Sequence, residues 1–520
     1  MRCAFIFPAA ARGRRDLSCA LLPLGLPSLA AALDAAGHRT LLIHSGGLGV
    51  AGTLRALRRF HPDLVGLSCF TYQRHETAAW VRRIRAALGK PGPFVVLGGP
   101  HASALPRAIL RRWPGVDAVA EGEAEATIIE LARCLGAGMD PVLIPGLWVR
   151  RWGHIESPPP RQPLPDLDRL PATLQPKLDM RGVDHRLQER HRITGRGCHG
   201  GCRFCCAPAL WRHAVRRHSV DRIMAEIRAL RRRGHAWLSF RDDSFVSDPA
   251  WTAELCRRLI DESADLLWDC QADLRRLDSE LVALMRRAGC VQIQLGVESA
   301  DDRVLQALGK PHRRVHIRRA VEACRRAGMW MSFYLLAGCP REDEAARRDT
   351  LELVRSSRPA SLSVSRLSLY PGTPLSRHIP PGRWFSERRV SFFFREDAAA
   401  RRYHRALLAL DRACRSREPY TLAELRAAAE RLDGAPAARL MLAQAALRQG
   451  EYLQAEMSCR RLLREHPQSA WARFCLGETF FEQRRFVDAA AELERALRLR
   501  PGWREVLALL RRARHRAANV

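Results

Sequence analysis

Lysine is almost missing from this chain. Of its 86 basic residues only Lys90, Lys177 and Lys310 are lysines, so the formal net charge of +31 is carried by arginine. Those arginines run through every segment and gather into no single stripe, which argues against the localised basic face of a nucleic-acid-binding protein. Arginine-for-lysine usage along the whole chain is the expected explanation, with an acidic partner such as RNA or an anionic membrane as the alternative. Also missing is any run near the roughly 20 apolar residues that a membrane-spanning helix needs. The N-terminal MRCAFIFPAAARGRRD has three of its four arginines after its short apolar run, unlike a secretory signal, whose positive charge comes first. A cytoplasmic protein is therefore expected. In that setting a disulfide framework is not expected from the 16 cysteines. Most of them, including Cys69, Cys256, Cys290, Cys324, Cys459 and Cys475, sit singly in apolar patterns and read as core.

What is present is enough for several cores: 520 residues, 47% of them hydrophobic, exceed what one domain holds. Over 1–140, short apolar runs (Cys3–Phe7, Arg39–His44, Asp63–Ser68, Phe94–Leu97, Val116–Ala120) alternate with helical patterns at about 25–36, 52–60, 75–88, 104–112 and 124–135. Strict β/α alternation predicts a doubly wound parallel sheet. Its glycine turns, Leu97-Gly98-Gly99-Pro100-His101 and Glu121-Gly122-Glu123, fall at the carboxyl edge, where such sheets bind ligands. A proline-rich stretch within 141–189 reads as a linker. Over 190–395 the alternation resumes: Arg192–Gly197, Ala236–Arg241, Leu266–Gln271, Val291–Val297, Trp330–Ala337 and Leu362–Leu369 give six β/α units, a partial barrel. A helical connector at 396–434 leads to 435–520, where Leu442, Tyr452, Ala455 and Pro467 recur 34 residues later as Leu476, Phe486, Ala489 and Pro501. That period is the tetratricopeptide signature, followed by a terminal helix at about 503–516. The fold class is thus α/β with α-helical hairpins at the C-terminus.

The stretch Gly197-Cys198-His199-Gly200-Gly201-Cys202-Arg203-Phe204-Cys205-Cys206 demands chemistry. Thiolates three and two residues apart in a glycine-containing loop can converge on one inorganic centre. A closed zinc site is the competing reading, but it wants four ligands and no second CxxC lies downstream. Cys206 adjoins Cys205 and should diverge from it. Three thiolates on a four-iron cluster leave one iron open.

This loop, directly after the first predicted barrel strand, resembles that of the radical S-adenosylmethionine superfamily. Further stretches fit in matching order: Phe240-Arg241-Asp242-Asp243-Ser244-Phe245, Leu284-Met285-Arg286-Arg287-Ala288-Gly289-Cys290, Leu295-Gly296-Val297-Glu298-Ser299, Gly338-Cys339-Pro340-Arg341-Glu342 and Tyr370-Pro371-Gly372-Thr373-Pro374-Leu375. The resemblance implies a [4Fe-4S] cluster on Cys198, Cys202 and Cys205 whose open iron chelates S-adenosylmethionine. An external flavodoxin- or ferredoxin-type reductant would release the 5′-deoxyadenosyl radical. It places Phe204 near the adenine, Glu298 facing the nucleoside, and Asp242 and Asp243 at the second strand's rim. It identifies no catalytic residue. Asp273 and Arg275 stand where relatives often carry arginine and then aspartate, and Cys339 replaces the more usual leucine.

Segment 1–140 resembles the cobalamin-binding domain that precedes many such enzymes, through Leu22-Pro23-Leu24-Gly25-Leu26, Val65-Gly66-Leu67-Ser68, Val96-Leu97-Gly98-Gly99-Pro100-His101 and Glu121-Gly122-Glu123-Ala124-Glu125. It implies corrinoid contacts from Ser68, Gly98, Gly99, Glu121 and Gly122. The Asp-x-His-x-x-Gly loop that gives cobalt a histidine is missing. His44-Ser45-Gly46-Gly47-Leu48-Gly49 takes its place, with glycines that allow a nucleotide tail close approach. His44 and His101 read as structural. The expected activity is cobalamin-dependent methyl transfer to an unactivated centre of an unidentified small-molecule or peptide substrate. The alternatives are cobalamin-independent or ring-forming radical chemistry, or a docking protein that recruits its partner through the concave face of the repeats.

Overall fold

The computed structural model describes residues 1–9, 21–89, 91–173 and 178–518. The chain forms two compact units, Met1–His218 with Leu367–Phe394, and Ser219–Arg366 with Arg395–Val520. The division passes through the segment 190–395.

In the first unit, strands β1 (Arg2–Phe7), β2 (Arg39–His44), β3 (Leu64–Ser68), β4 (Phe94–Gly98) and β5 (Ala118–Ala120) run parallel in the order β5-β4-β3-β1-β2. Both faces are covered, which is why these strands read as continuous apolar runs rather than alternating ones. Along β1, Cys3, Phe5 and Phe7 enter a core with Leu26, Ala30, Leu33, Ile128 and Leu131 of helices Gly25–Ala35 and Glu125–Gly136. Ala4 and Ile6 enter the opposite core with Leu57, Trp80, Val81, Ile84 and Ile109. This is the expected doubly wound sheet.

Three features depart from the sequence expectation. The segment read as linker contributes an antiparallel hairpin, β6 (Leu147–Arg151) and β7 (His154–Glu156), to the β5 edge. Its two-residue turn has φ of 45° at Trp152 and 82° at Gly153, the left-handed pair that a tight hairpin turn demands. A short strand β8 (Met180–Arg181) joins the other edge beside β2. The strand expected over Arg192–Gly197 is broken into β9 (His191–Arg192) and β10 (Gly195–Arg196), and β10 pairs antiparallel with β11 (Arg216–Arg217).

In the second unit, β12 (Trp237–Phe240), β13 (Leu267–Ala272), β14 (Cys290–Glu298), β15 (Trp330–Ala337) and β16 (Ser361–Arg366) are parallel and paired in sequence order. Helices lie between successive strands. Of these and the helix ahead of β12, five begin at a side-chain cap: Ser219, Asp248, Asp278, Asp301 and Asp343 accept from the N–H groups of Arg222, Trp251, Leu281, Arg303 and Ala346. These caps satisfy amides that the first helical turn leaves without partners, and they fix where each helix starts.

The repeat segment forms helices Pro436–Arg448, Tyr452–Glu465, Ala470–Glu482, Phe486–Leu499 and Arg504–Ala517. Leu440, Met441, Trp471 and Phe474, on the first helix of each pair, share a core with Ala236, Leu267 and Val291 at the starting ends of β12–β14. Trp471 Nε1 donates to the Ala236 carbonyl at 3.1 Å. The Asp265 carboxylate accepts from Ser469 Oγ at 2.9 Å and from the Ala470 amide at 2.8 Å. The first helix of each pair is thus packed against this chain's own strands.

On the third of these helices, burial and the neighbouring Glu482 carboxylate push the Glu478 carboxyl up to about 7, against the opposing pull of Arg448. A raised folded-state pKa means the folded chain holds this proton more tightly than the unfolded one. The associated stability is present below about 4.5, the ordinary value, and is lost as pH rises through about 7. Glu478→Gln is therefore expected to raise the melting temperature at pH 8 and to leave it nearly unchanged at pH 4.5, checked by thermal unfolding at both pH values. A destabilised variant at pH 8 would contradict this.

Candidate functional site

Within the first unit, the expected corrinoid contacts come together. Ser68, Gly98 and Gly99 close β3 and β4, and Glu121 and Gly122 follow β5, so all five line the carboxyl edge of three adjacent strands. The Gly99 turn is held by the Cys69 amide donating to the Gly98 carbonyl at 2.8 Å. Gly122 donates its amide to Ser103 Oγ at 3.0 Å, and Glu121 Oε2 accepts from Trp148 Nε1 at 2.7 Å. The Arg212 guanidinium also pairs with Glu121 at 3.5 Å, so the backbone here is fixed, while Gly98, Gly99 and Gly122 present no side chain of their own and suit close approach by a large flat cofactor.

The glycines after β2 do something different. A Cβ on Gly47 would lie 1.9 Å from the Gly182 carbonyl oxygen, so the close approach they permit is taken by this chain's own backbone beside β8. His44 caps the helix Ser45–Phe60 by accepting from the Gly47 amide at 3.1 Å. His101 is buried and hydrogen-bonded to Thr71 at 3.1 Å. Burial, helped by Arg74 and His75, pushes its pKa down to about 3. Both histidines are built into the scaffold.

The cysteine loop belongs to the same unit. It rises from the neck formed by β10 and β11, and Cys198, Cys202 and Cys205 are half-buried. A Cβ on Gly200 would lie 3.4 Å from the Cys198 sulfur and 3.5 Å from that of Cys202, so two sulfurs flank one glycine. Backbone amides of Gly200 and Ala207 donate to the sulfurs of Cys198 and Cys205 at 3.3 and 3.4 Å. N–H groups aimed at sulfur stabilise thiolates and set cluster potential. Among the described residues no three His, Cys, Asp or Glu side chains meet where one ion would sit. A four-iron cluster differs from such a site, since each thiolate binds its own iron. The donor set and its amides fit the cluster. Phe204 is half-buried in the loop. The Leu375 amide donates to the Arg203 carbonyl at 3.0 Å, seating the Tyr370–Leu375 motif on the loop. The Tyr370 hydroxyl is pushed up in pKa by burial and by the charges of Cys206 and Cys205, against a hydrogen bond with Ser368.

In the second unit, Glu298 ends β14 at a register shift against β15, with φ of 62°. A non-glycine residue there stores strain, a feature that concentrates at functional sites. Its carboxylate is buried and paired with Lys310 Nζ at 3.1 Å. One of only three lysines in the chain is thus spent on orienting Glu298. Asp242 is buried and Asp243 exposed, both beyond the end of β12. Asp273 is committed to Arg275, accepting its amide at 3.0 Å and its guanidinium at 2.7 Å. Glu342 folds back to accept from the amides of Gly338 and Cys339 at 3.0 and 3.2 Å.

A polar layer across the strands was not singled out from the sequence. Asp269 accepts from Trp237 Nε1, Ser239 Oγ and Gln294 Nε2 at 2.9, 2.7 and 3.0 Å. Gln294 Oε1 accepts from Arg241 and Tyr334 at 3.0 and 2.6 Å. The alternation Gln292-x-Gln294 within β14 was the available signal, because period-two polar residues in a buried strand must face a polar interior.

Three family models match successive segments of the chain. Residues 193–354 match the radical SAM superfamily model, 20–132 the B12 binding domain, and 440–502 the tetratricopeptide repeat. An uncharacterized methyltransferase of Pyrococcus horikoshii is 27% identical over 68% of this chain and 77% of its own. The anaerobic magnesium-protoporphyrin IX monomethyl ester cyclase of Rubrivivax gelatinosus is 23% identical over 73% of this chain and 70% of its own. The fold is shared with the radical S-adenosylmethionine methyltransferase TsrM of Kitasatospora setae, solved with cobalamin and a [4Fe-4S] cluster, at a TM-score of 0.64 and 17% identity over 79% of this chain and 88% of that one. The chain thus carries a radical SAM segment over 193–354, with a B12-binding segment ahead of it and a tetratricopeptide segment behind it.

Proposed function

We propose that this protein is a cobalamin-dependent radical S-adenosylmethionine methyltransferase acting on an unactivated centre. The observation that carries the reading is the first unit itself: one body holds both the three-cysteine loop and the cleared carboxyl edge of the B12-binding sheet. When bound, the cluster supplies the electron that splits the sulfonium, and the corrinoid supplies the methyl group. The chain's own residues do the rest. Cys198, Cys202 and Cys205 hold the cluster, and the amides of Gly200 and Ala207 offset negative charge on its sulfurs. Phe204 and Glu298 are assigned to the adenine and the nucleoside, with Lys310 fixing the Glu298 carboxylate. Asp242 and Asp243 are assigned to the rim of β12. Ser68, Gly98, Gly99, Glu121 and Gly122 are assigned to the corrinoid, which they would hold at the carboxyl edge of β3–β5.

The match to a cyclase favours one alternative, a ring-forming radical reaction on the same cofactor set. No helix among the described residues is long and apolar enough to cross a membrane. A protein partner for the repeats has the outward helices available, where Leu453, Met457 and Val487 are exposed. Hydroxocobalamin added to the full-length protein is expected to be retained through gel filtration with a shifted corrinoid spectrum. Gly98→Phe, at a position where an added Cβ meets nothing nearer than the Ala120 carbonyl at 4.0 Å, is expected to abolish retention. No retention by the unaltered protein would leave a cobalamin-independent enzyme.

A further inference from the structure

The loop that carries the cysteines starts and ends on two arginines that face each other. Arg196 and Arg216 are directly paired across the two-residue ladder of β10 and β11. Like charges opposite one another destabilise a ladder, and a two-stranded ribbon this short has no stability of its own to set against that. The neck closes because carboxylates from the B12-binding sheet occupy the space between the two guanidinium groups.

Those carboxylates follow β5. Glu123 bridges both arginines: its Oε2 accepts from Arg196 Nη1 at 3.0 Å and from Arg216 Nη1 at 3.0 Å, and its Oε1 pairs with Arg216 Nη2. Glu125 takes the rest of Arg196 through a two-point contact and accepts from Ser28 Oγ at 2.6 Å. Arg216 also donates to the Leu164 carbonyl at 2.7 Å, and the Arg196 guanidinium lies 5.4 Å above the Trp211 ring. All four side chains are nearly withdrawn from water, at 9–11% exposure. Burial works to raise the Glu125 carboxyl, but the charge and hydrogen bonds of Arg196 and the Ser28 hydroxyl outweigh it and hold it below the usual range. Forked arginine–carboxylate contacts fix orientation as well as distance.

We propose that Glu123 and Glu125 are positioning residues for the iron–sulfur cluster: through Arg196 and Arg216 they clamp the neck of the cysteine loop onto the carboxyl edge of the B12-binding sheet. The proposal rests on the reading that Cys198, Cys202 and Cys205 hold a cluster. Arg196 is two residues from Cys198, so a shift at the neck is passed directly to the first ligand. The clamp sits beside Glu121 and Gly122, so the loop is pinned at the edge assigned to the corrinoid. The Glu121-Gly122-Glu123-Ala124-Glu125 motif then divides its labour, with its first two residues at the edge and its later carboxylates holding the loop.

Two measurements on the full-length protein test this. In cluster-free protein, amide hydrogen exchange in peptides spanning 195–217 is expected to rise about tenfold in the Glu123→Gln, Glu125→Gln double variant, while β1–β4 keep their protection. Because this arm needs no cluster, it reports on the clamp even if the cluster assignment fails, which iron analysis of the unaltered protein shows separately. After anaerobic reconstitution and reduction, the electron paramagnetic resonance spectrum with S-adenosylmethionine is expected to change from one species to a mixture in the double variant. Glu123→Asp, which keeps the charge, should restore the single species in part. A merely stabilising role would lower the melting temperature without altering that spectrum. If Glu123→Gln alone does not fold, Glu123→Gln with Arg216→Gln removes the repulsion at the neck and is expected to fold and exchange more slowly than the double carboxylate variant. Unchanged exchange at 195–217, or an unchanged spectrum in the reconstituted double variant, would overturn the proposal.

Discussion

A chain ending at residue 434 is expected to be insoluble, because the repeats cover part of the second unit's core. Ala236, Leu267 and Val291, each no more than 3% exposed, pack against Leu440, Met441, Trp471, Phe474 and Trp503. Removing 435–520 would bare that surface, and contiguous apolar patches of more than a few hundred Å² drive association. It would also strip Asp265 of Ser469, the Ala470 amide and Arg500, all of which lie beyond the cut. A smaller change tests the same interface. Trp471→Ala should cost about 3–5 kcal/mol, the usual penalty for truncating a buried tryptophan, and should lower the melting temperature of the full chain. A soluble 1–434 chain with unaltered unfolding would instead make the repeats a detachable docking arm.

Replacing Cys198, Cys202 and Cys205 together with alanine is expected to reduce iron after anaerobic reconstitution from about four per chain to almost none. The unfolding temperature should barely change, since these thiols are half-buried in a loop held at its neck by charge pairs and not by the cysteines. Cys206→Ala is the matching control. Cys206 precedes the short helix Ala207–Leu210, and its loss should leave iron near the unaltered level. Equal iron in the triple variant would move the cluster elsewhere, and loss in the Cys206 variant would make it a fourth ligand.

The sequence made some of this legible and hid the rest for physical reasons. Strands buried on both faces announce themselves as apolar runs, and Arg39–His44 and Trp330–Ala337 appear with the bounds expected. The hairpin β6–β7 was not legible, because it is an edge hairpin with a polar outer strand whose turn uses Trp152-Gly153 in place of the favoured Asn-Gly. The expected strand at Arg192–Gly197 is interrupted, and its Arg196 answers to carboxylates about 70 residues upstream, a pairing no local pattern reports. For the same reason the role of Lys310 was invisible: its value lies in Glu298, on a different element. Docking through the concave face of the repeats was one alternative reading, because the 34-residue period marks helices but says nothing of what lies against them. The cysteine triad was the opposite case, with the three ligands assigned to the cluster carried in eight consecutive residues.

The central claim is that the loop of Cys198, Cys202 and Cys205 carries a cluster that cleaves S-adenosylmethionine. Reconstituted full-length protein, given S-adenosylmethionine and a low-potential reductant under anaerobic conditions, should release 5′-deoxyadenosine, with none formed when reductant is omitted or the three cysteines are replaced. Tightly bound zinc with no reductant-dependent 5′-deoxyadenosine would contradict the account.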